Sequence, residues 1–134
     1  MFSIYGDIVV DPFLGTGTTM YASAITGRNC IGYELDNSFN ISIVEMFTQK
    51  LKQISQDYIS TRLKHHNQFI EDRQQKKKNI KHFNRNHNIP VITTQEKEIQ
   101  FYTINKIKYT NNIYNITYNK YNQGRNENDQ HSTK

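Results

Sequence analysis

Cysteine is nearly absent from the sequence, and long apolar runs are missing. The single cysteine, Cys30, cannot form an internal disulfide, which fits a reducing cytoplasm. Because Cys30 lies inside an apolar run, we interpret it as a small core residue and not as a nucleophile. No run approaches the ~20 apolar residues of a membrane span, and the N-terminus does not have the pattern of a signal peptide. We therefore expect a cytoplasmic protein without a membrane partner.

Apolar residues are also scarce and unevenly placed. They make up 35% of the 134 residues, below the ~45–50% that is usual for soluble domains. Most aliphatic residues precede position 60, whereas the second half is rich in Asn, Lys, Gln and Tyr. The length suits one domain, but we expect a full core only in the first half. The polar residues 122–134 are predicted to form a disordered tail.

Acidic residues are outnumbered by basic ones. The chain has 17 Lys and Arg against 12 Asp and Glu, a net charge of +5 and a pI near 9.3. This excess favours an anionic partner, of which nucleic acid is the commonest. A Lys- and Asn-rich composition from an AT-biased genome is the alternative explanation.

The first half has the pattern of a strand, turn, helix and strand. The β-branched run Ile8–Val10 predicts a buried strand, and Thr18–Thr19 open a helix that runs to Ile25. Gly27 is a natural helix end, and Cys30–Leu35 predicts a second strand. Such a unit is almost always right-handed with parallel strands, so the fold class is α/β.

The second half predicts a helix and then extended structure. Asn37 or Ser38 caps a helix whose apolar face repeats at three- and four-residue steps (Ile43, Phe47, Leu51, Ile54 and Tyr58) and which runs to about Leu63 or beyond. The period changes at Ile89: residues 90–94 are β-like, and residues 99–107 alternate at period two. The turn signal Asn111–Asn112 then predicts a β-hairpin. The expected segments are a strand-helix-strand-helix segment 1–63, a basic helical or linker segment 64–88, a hairpin extension 89–121 and the tail.

The residues between the first strand and helix indicate a ligand site. Gly15 and Gly17 allow the backbone to turn sharply and approach a ligand closely, and the helix start offers free N–H groups. Glu34, at the end of the next strand, is placed to accept hydrogen bonds from ribose hydroxyls. The pattern favours a nucleoside-containing cofactor.

Two common glycine motifs do not fit. A phosphate-binding loop needs a lysine after its last glycine, but Gly17 is followed by Thr18. The dinucleotide motif needs a third glycine where Met20 stands. The glycine pair alone would therefore also fit an ordinary tight α/β turn.

The complete string is more specific than the glycine pair. The segment Asp11–Thr19, preceded by Gly6–Val10, resembles the cofactor motif of the N6-adenine/N4-cytosine DNA methyltransferase family, and Gly27–Asp36 resembles the family's next motif. The resemblance is strong over residues 4–60 and weaker to about Tyr118. It implies the C-terminal, cofactor-binding portion of a Rossmann-like S-adenosylmethionine-dependent methyltransferase fold, with DNA as the partner.

The resemblance also implies roles for the matching residues. Asp11, Pro12 and Phe13 would line the S-adenosylmethionine pocket, although turn capping is the alternative role for Asp11. Gly15, Thr16 and Gly17 would form the turn beneath the cofactor. Thr18 and Thr19 would cap the helix and donate hydrogen bonds to the cofactor carboxylate. Glu34 would accept the ribose hydroxyls, and Asp36 would either contribute nearby or only begin the following helix.

The catalytic motif of the family is missing. The family transfers a methyl group to an exocyclic amino nitrogen of a flipped base. Its motif is Asp, Asn or Ser followed by Pro-Pro and an aromatic residue. The two prolines here, Pro12 and Pro90, are not adjacent, so no residue is assigned a catalytic role. Since several family branches place the catalytic half first, we expect that half to precede Met1. Three explanations of its absence stay open: a second chain that carries the motif, a truncated gene, or a mispredicted start.

Other features allow two interpretations each. The basic segment 64–88 would contact DNA phosphates or form a solvated helix face and linker. The hairpin tyrosines would stack on bases or serve as ordinary strand residues. The five histidines have no partners at metal-ligand spacing, so no metal is predicted. The rival functions are a cofactor-binding subunit or inactive remnant, and a basic DNA-binding accessory protein with a vestigial cofactor motif.

Overall fold

The computed structural model describes residues 3–122, which fall into two compact units. The first unit combines residues 1–62 with residues 102–119, and the second combines residues 63–101 with the chain from Lys120 onward. Except for Asn122, the predicted disordered tail 122–134 lies outside the described residues.

Helices and strands alternate along the chain. In chain order the elements are β1 (Ile8–Asp11), α1 (Thr18–Ile25), β2 (Asn29–Gly32), α2 (Phe39–Glu45), a π-helical turn (Met46–Lys50), α3 (Leu51–Gln75), β3 (His82–Asn84), β4 (Ile89–Val91), a 3-10 turn (Thr94–Glu98), β5 (Tyr102–Thr110) and β6 (Ile113–Lys120). The fold is therefore mixed α/β.

Strands β1 and β2 are parallel, with α1 as their connection. Their register pairs Val9 with Cys30 and Val10 with Ile31, so the two strands end side by side. The predicted order of strand, turn, helix and parallel strand is thus confirmed. The prediction that the first strand is buried is wrong, because Ile8 and Val10 are exposed, and the second strand ends at Gly32 and not at Leu35. The parallel pairing places the loop after β1 and the residues after β2 at one edge of the sheet.

The core of the first unit lies between α1, the following helices and the β5–β6 hairpin. Its buried residues are Ala24, Ile43, Phe47, Leu51 and Ile104. The Phe47 ring stacks on Tyr114 with a centroid distance of 4.2 Å. The Tyr118 hydroxyl donates to the Ala24 carbonyl at 2.8 Å, and burial raises the pKa of Tyr118 to about 12.

The helix after β2 continues through its π-helical turn to Gln75, which agrees with the predicted end at Leu63 or beyond. It differs from its prediction in two respects. Ser38 is the N-cap position, but its side chain makes no capping hydrogen bond. Beyond Leu51 the buried positions are Ser55, Ile59, Leu63 and Ile70, whereas the predicted Ile54 and Tyr58 are exposed.

The apolar pattern failed there because a polar residue occupies a core position. The Ser55 hydroxyl accepts a hydrogen bond from the Ile104 backbone N–H at 3.1 Å, and both residues are buried. A serine that satisfies a strand N–H is invisible to a count of apolar residues.

The β5–β6 hairpin confirms the predicted turn. Asn111 and Asn112 have positive φ angles of 50° and 59°, as a two-residue hairpin turn with matching twist requires. Asparagine tolerates this conformation better than most residues. In the structure the hairpin belongs to the first unit.

The second unit contains a small antiparallel pair, β3–β4. Strand β4 lies where the sequence was expected to become extended, whereas no strand was predicted at β3. Buried Asn84 organises the pair. Its amide nitrogen donates to the carbonyls of Glu96 and Ile99 at 2.6 and 2.9 Å. Its amide oxygen accepts from the backbone N–H groups of Asn86 and His87 at 2.9 and 2.8 Å. These bonds add to the short antiparallel ladder of β3 and β4, which pairs only three residues of each strand.

Residues 3–122 contain neither a membrane-spanning helix nor a cluster of metal ligands. None of the helices there is both long and apolar enough to cross a membrane. The described part of the chain also holds no group of three or more His, Cys, Asp or Glu residues placed to bind a metal ion.

Candidate cofactor site at the strand ends

The loop between β1 and α1 is fixed to the end of β2 by backbone hydrogen bonds. The Tyr33 N–H donates to the Asp11 carbonyl at 2.9 Å, and the Leu14 N–H donates to the Tyr33 carbonyl at 2.9 Å. The Gly17 N–H closes the turn on the Leu14 carbonyl at 2.9 Å. The loop therefore has a defined shape before any ligand binds.

Gly17 is the residue at which the loop becomes a helix. Its φ is +83°, and a Cβ there would lie 3.0 Å from the Tyr21 ring and 3.1 Å from Ile43. Both the conformation and the space favour glycine. Gly17 is also the N-cap of α1 and brings no side-chain cap, so the first N–H groups of the helix are not capped by a side chain.

The expected capping role of Thr18 and Thr19 is therefore wrong. They are the first two residues inside α1, whereas a capping side chain must come from the N-cap residue, which is Gly17. The Thr18 hydroxyl lies 3.4 Å from the Thr16 hydroxyl, and the Thr19 side chain bonds to Asp11. Their proposed contact with a cofactor stays a prediction.

Asp11 ends β1 with its carboxylate beside the loop. One oxygen accepts a hydrogen bond from the Phe13 N–H at 3.0 Å. The Thr19 side chain and then the Phe13 N–H hold the pKa of Asp11 below its ordinary value, so the group is ionised at neutral pH. The turn-capping alternative is thus observed, and it leaves an anionic carboxylate at the loop.

Glu34 joins the two motifs. One carboxylate oxygen accepts from the Gly15 N–H at 2.7 Å, and the other accepts from the Asp36 N–H at 2.8 Å. The Asp36 N–H and then the Gly15 N–H lower the pKa of Glu34, which is therefore ionised. The structure brings together the predicted residues of the first and second motifs through this side chain.

Asp36 lies in the turn that precedes the following helix, α2. Its carboxylate accepts from the Ser38 N–H at 2.8 Å, and the Ser38 side chain and then its N–H lower the pKa of Asp36. This bond fixes the turn before the helix, but it does not replace the capping bond that was expected from Asn37 or Ser38.

Apolar side chains flank these carboxylates. Phe13 is 88% exposed and follows exposed Pro12, while Thr16 is exposed on the same loop. Leu35 is fully exposed between Glu34 and Asp36. Leu35 was not among the predicted site residues, because it was assigned to the end of the second strand, which stops at Gly32 in the structure. An apolar residue between two acidic ones was a usable signal. The site is an open surface with apolar and anionic groups.

The first unit also has a cavity of about 670 Å³, and it is a separate feature. It lies beside α1, β2 and β6, where Met20, Cys30 and Ile113 are among the lining residues. None of the predicted cofactor residues lines it. Burial raises the pKa of the Cys30 thiol, which disfavours a nucleophilic role. Cys30 is only partly buried and is not one of the core residues, so its interpretation as a core residue is not confirmed.

The fold and loop define a class of protein: a parallel β-α-β unit with a glycine turn at the carboxyl ends of its strands. Comparison with known proteins defines the family. Residues 1–45 match the model of the DNA methylase family for N6 and N4 methylation. The chain is 43% identical over 125 residues to the type II methyltransferase M.MthZI of Methanothermobacter thermautotrophicus, covering 91% of this chain. The chain belongs to the N6-adenine/N4-cytosine DNA methyltransferase family.

Shorter matches agree. The type II methyltransferase M.MjaI of Methanocaldococcus jannaschii is 53% identical over 58 residues, and M.BamHI of Bacillus amyloliquefaciens is 42% identical over 52 residues. These matches cover 43% and 39% of the chain. The chain spans 33% of the length of M.MthZI, 19% of M.MjaI and 11% of M.BamHI. No solved structure matches the chain significantly.

Proposed function

We propose that this chain binds S-adenosylmethionine at the loop after β1 and is the cofactor-binding part of a DNA methyltransferase. The methyl acceptor is adenine N6 or cytosine N4, in a restriction–modification or orphan methylation system. One observation carries the proposal: the Glu34 carboxylate bonds the Gly15 N–H at 2.7 Å, beside a helix start without a side-chain cap.

Each part of the cofactor has a chemically suitable partner in this proposal. The uncapped N–H groups of α1 and the positive end of its dipole suit the cofactor carboxylate. Ionised Asp11 suits the cationic amino group. Glu34 uses one acceptor site of each oxygen for the backbone, so further sites on both oxygens accept the ribose hydroxyls.

The exposed apolar residues suit the base of the cofactor. Phe13 and Leu35 lie on adjacent segments, since the Leu14 N–H bonds the Tyr33 carbonyl at 2.9 Å. An aromatic ring and an aliphatic side chain are the usual walls of an adenine pocket. Pro12, Gly15, Thr16 and Gly17 shape the backbone that supports these groups.

Methyl transfer needs groups that this sequence does not contain. The two prolines are 78 residues apart, so the Pro-Pro-aromatic motif must come from another part of a longer polypeptide or from a second chain. The apolar face of β1 and β2 supports the same view. Ile8, Val10 and Ile31 are 64%, 59% and 47% exposed, whereas parallel sheets are normally covered on both faces.

The rival functions differ in what they require of the loop. An inactive remnant or a cofactor-binding subunit would still bind the cofactor. An accessory protein with a vestigial motif would not need Gly17 at a positive φ, nor Glu34 bonded to Gly15. The intact arrangement of these residues favours a working cofactor site over a vestigial one.

Calorimetric titration of the purified chain with S-adenosylmethionine tests the proposal. We expect saturable binding that Glu34→Ala and Asp11→Ala each weaken by roughly 10- to 100-fold, since hydrogen bonds to charged groups contribute about 1.5–3 kcal/mol. Asp72→Ala on helix α3 removes an exposed carboxylate of the second unit and should bind like the wild type. No binding by a folded wild-type chain would contradict the proposal.

A further inference from the structure

The net positive charge of the protein is confined to one structural unit. The first unit contains six Lys and Arg residues and six Asp and Glu residues, so its formal charge is zero. Residues 63–101 of the second unit contain eight basic and four acidic residues, and residues 120–134 contain three and two. The unit that holds the candidate cofactor site is neutral, and the other unit carries the whole +5.

Within the second unit the charge is concentrated directly after α3. We call Lys76–Arg85 the basic strip; its basic residues are Lys76, Lys77, Lys78, Lys81 and Arg85, all of them exposed. The Arg85 Nε lies 3.8 Å from the Glu98 Oε1, and both side chains of this long ion pair are exposed. The four lysines have no ion-pair partner among residues 3–122.

The basic strip has an ordered backbone. The Lys77 and Lys78 N–H groups donate to the carbonyls of Gln74 and Arg73 at 2.9 and 3.0 Å, which closes the end of α3. Arg85 directly follows Asn84, whose side chain makes four hydrogen bonds: two within the β3–β4 turn, and two to the carbonyls of Glu96 and Ile99. The cations therefore project from a fixed scaffold, and binding a partner costs little ordering of the main chain.

The helix end explains only part of this charge. Cations near a helix C-terminus are stabilised by its dipole, and this effect falls off within the last turn. It accounts for Lys76, Lys77 and Lys78, but Lys81 and Arg85 lie beyond it. A strip that continues past the helix end indicates an anionic partner with charges repeated along its length.

We propose that the basic strip holds the phosphate backbone of duplex DNA. Duplex DNA carries one negative charge per ~1.7 Å of axis, so a strip of ten residues meets several phosphates. A membrane surface fits less well, because interfacial segments pair their cations with an apolar face. The only large apolar side chain exposed in the strip is Phe83. The inference rests on the proposed function. It names the surface that binds the DNA backbone irrespective of the base sequence.

Fluorescence anisotropy with a labelled 20-base-pair duplex between 50 and 200 mM salt tests this surface. The strip variant combines Lys76→Gln, Lys77→Asn and Lys78→Gln; asparagine suits the positive φ of 54° at position 77. The control combines Lys52→Gln, Lys106→Gln and Lys108→Gln, which removes the same charge from exposed positions of the first unit. The slope of log K against log salt should drop by about 0.9 per lost phosphate contact in the strip variant. The control should keep the wild-type slope.

Further measurements separate the possible failures. A second strip variant, Lys81→Gln with Arg85→Gln, leaves the helix end intact and should also reduce the slope. Cofactor titration of the first strip variant should match the wild type, so loss of DNA binding is not a loss of the cofactor site. DNA binding without cofactor binding would contradict the proposed function but would still support this inference. Absent DNA binding, equal losses in strip and control variants, or equal affinity for anionic phospholipid vesicles would each overturn the inference.

Discussion

His87 is held as a neutral hydrogen-bond acceptor. Its ring is buried, its Nε2 accepts the Phe101 N–H at 3.0 Å, and it stacks on the Phe101 ring with a centroid distance of 4.8 Å. Its buried Nδ1 has no hydrogen-bond partner among the described residues. Burial lowers the pKa of His87, because the charged imidazolium would lose its hydration.

This arrangement predicts acid sensitivity of the second unit. Since the folded pKa is depressed, the unfolded chain binds more protons below the unperturbed pKa of about 6.5. Stability is therefore complete above that pH and declines as the pH falls towards the folded pKa. Protonation also converts the Nε2 acceptor into a donor, which removes a bond contributing about 1 kcal/mol. Thermal melting between pH 7.5 and 5 should show a falling midpoint.

Two variants assign this effect to His87. His87→Gln removes the titration and should flatten the pH dependence, whereas His65→Gln on exposed α3 should leave it unchanged. The same pH slope in wild type and His87→Gln would show that another group controls the transition.

At the residue scale, the sequence predicted which residues of the cofactor loop come together, but not all their roles. Gly15 and Glu34 are 19 residues apart and meet through a 2.7 Å hydrogen bond, as the motif order implied. The capping role of Thr18 failed because Gly17 takes the N-cap position with a positive φ. Backbone conformation decides which residue is the cap, and side-chain type only biases that choice. The binding role of each residue stays a prediction.

At the element scale, the end of α3 carries a strained residue. Lys77 has a φ of 54°, in the left-handed region that glycine prefers at this position after a helix. A side chain with a Cβ pays roughly 1 kcal/mol for this conformation. The sequence has no glycine or proline at this point to mark the end of the helix, so the end could not be predicted.

Lys77→Gly should therefore raise the free energy of unfolding by about 1 kcal/mol. Urea denaturation followed by circular dichroism measures the change. Lys76→Gly is the matched control: its φ is not positive, so glycine there only adds entropy to the unfolded chain and should lower stability. Equal destabilisation by both variants would refute the account of strain at position 77.

Short elements limited the prediction of the second unit for a different reason. Strands β3 and β4 have three residues each, too few to display a period-two pattern. Their stability comes from side-chain to backbone bonds of Asn84, which depend on the fold and not on local composition. The nine-residue β5 and eight-residue β6 alternate long enough to be seen, and their turn was predicted correctly.

At the scale of the whole molecule, the exposed apolar face of β1 and β2 is the main departure from an ordinary soluble surface. Val10 and Ile31 are direct partners in the parallel register, and Ile8 lies on the same face. In the isolated chain this face meets water, which favours contact with other apolar surfaces.

We expect Val10→Thr combined with Ile31→Thr to reduce self-association of the isolated chain. Threonine keeps the β-branched shape of a strand residue but makes the face polar. Sedimentation at several protein concentrations should show less oligomer, with stability within about 0.5 kcal/mol of the wild type, as is usual for exposed substitutions. Val9→Thr, on the half-buried opposite face, should instead lower stability and leave association unchanged.

The same double substitution should act differently when the face is covered. In a longer methyltransferase polypeptide, or with a second chain present, the threonine hydroxyls would be buried without assured partners and should destabilise the assembly by about 1–3 kcal/mol. A reduction of self-association in the isolated chain, together with destabilisation of the longer protein, would identify this face as the site where the rest of the methyltransferase packs. If self-association of the isolated chain did not change, the face of β1 and β2 would not be the surface through which the chain associates. The exposure of this face would then no longer support packing by a further part of the protein.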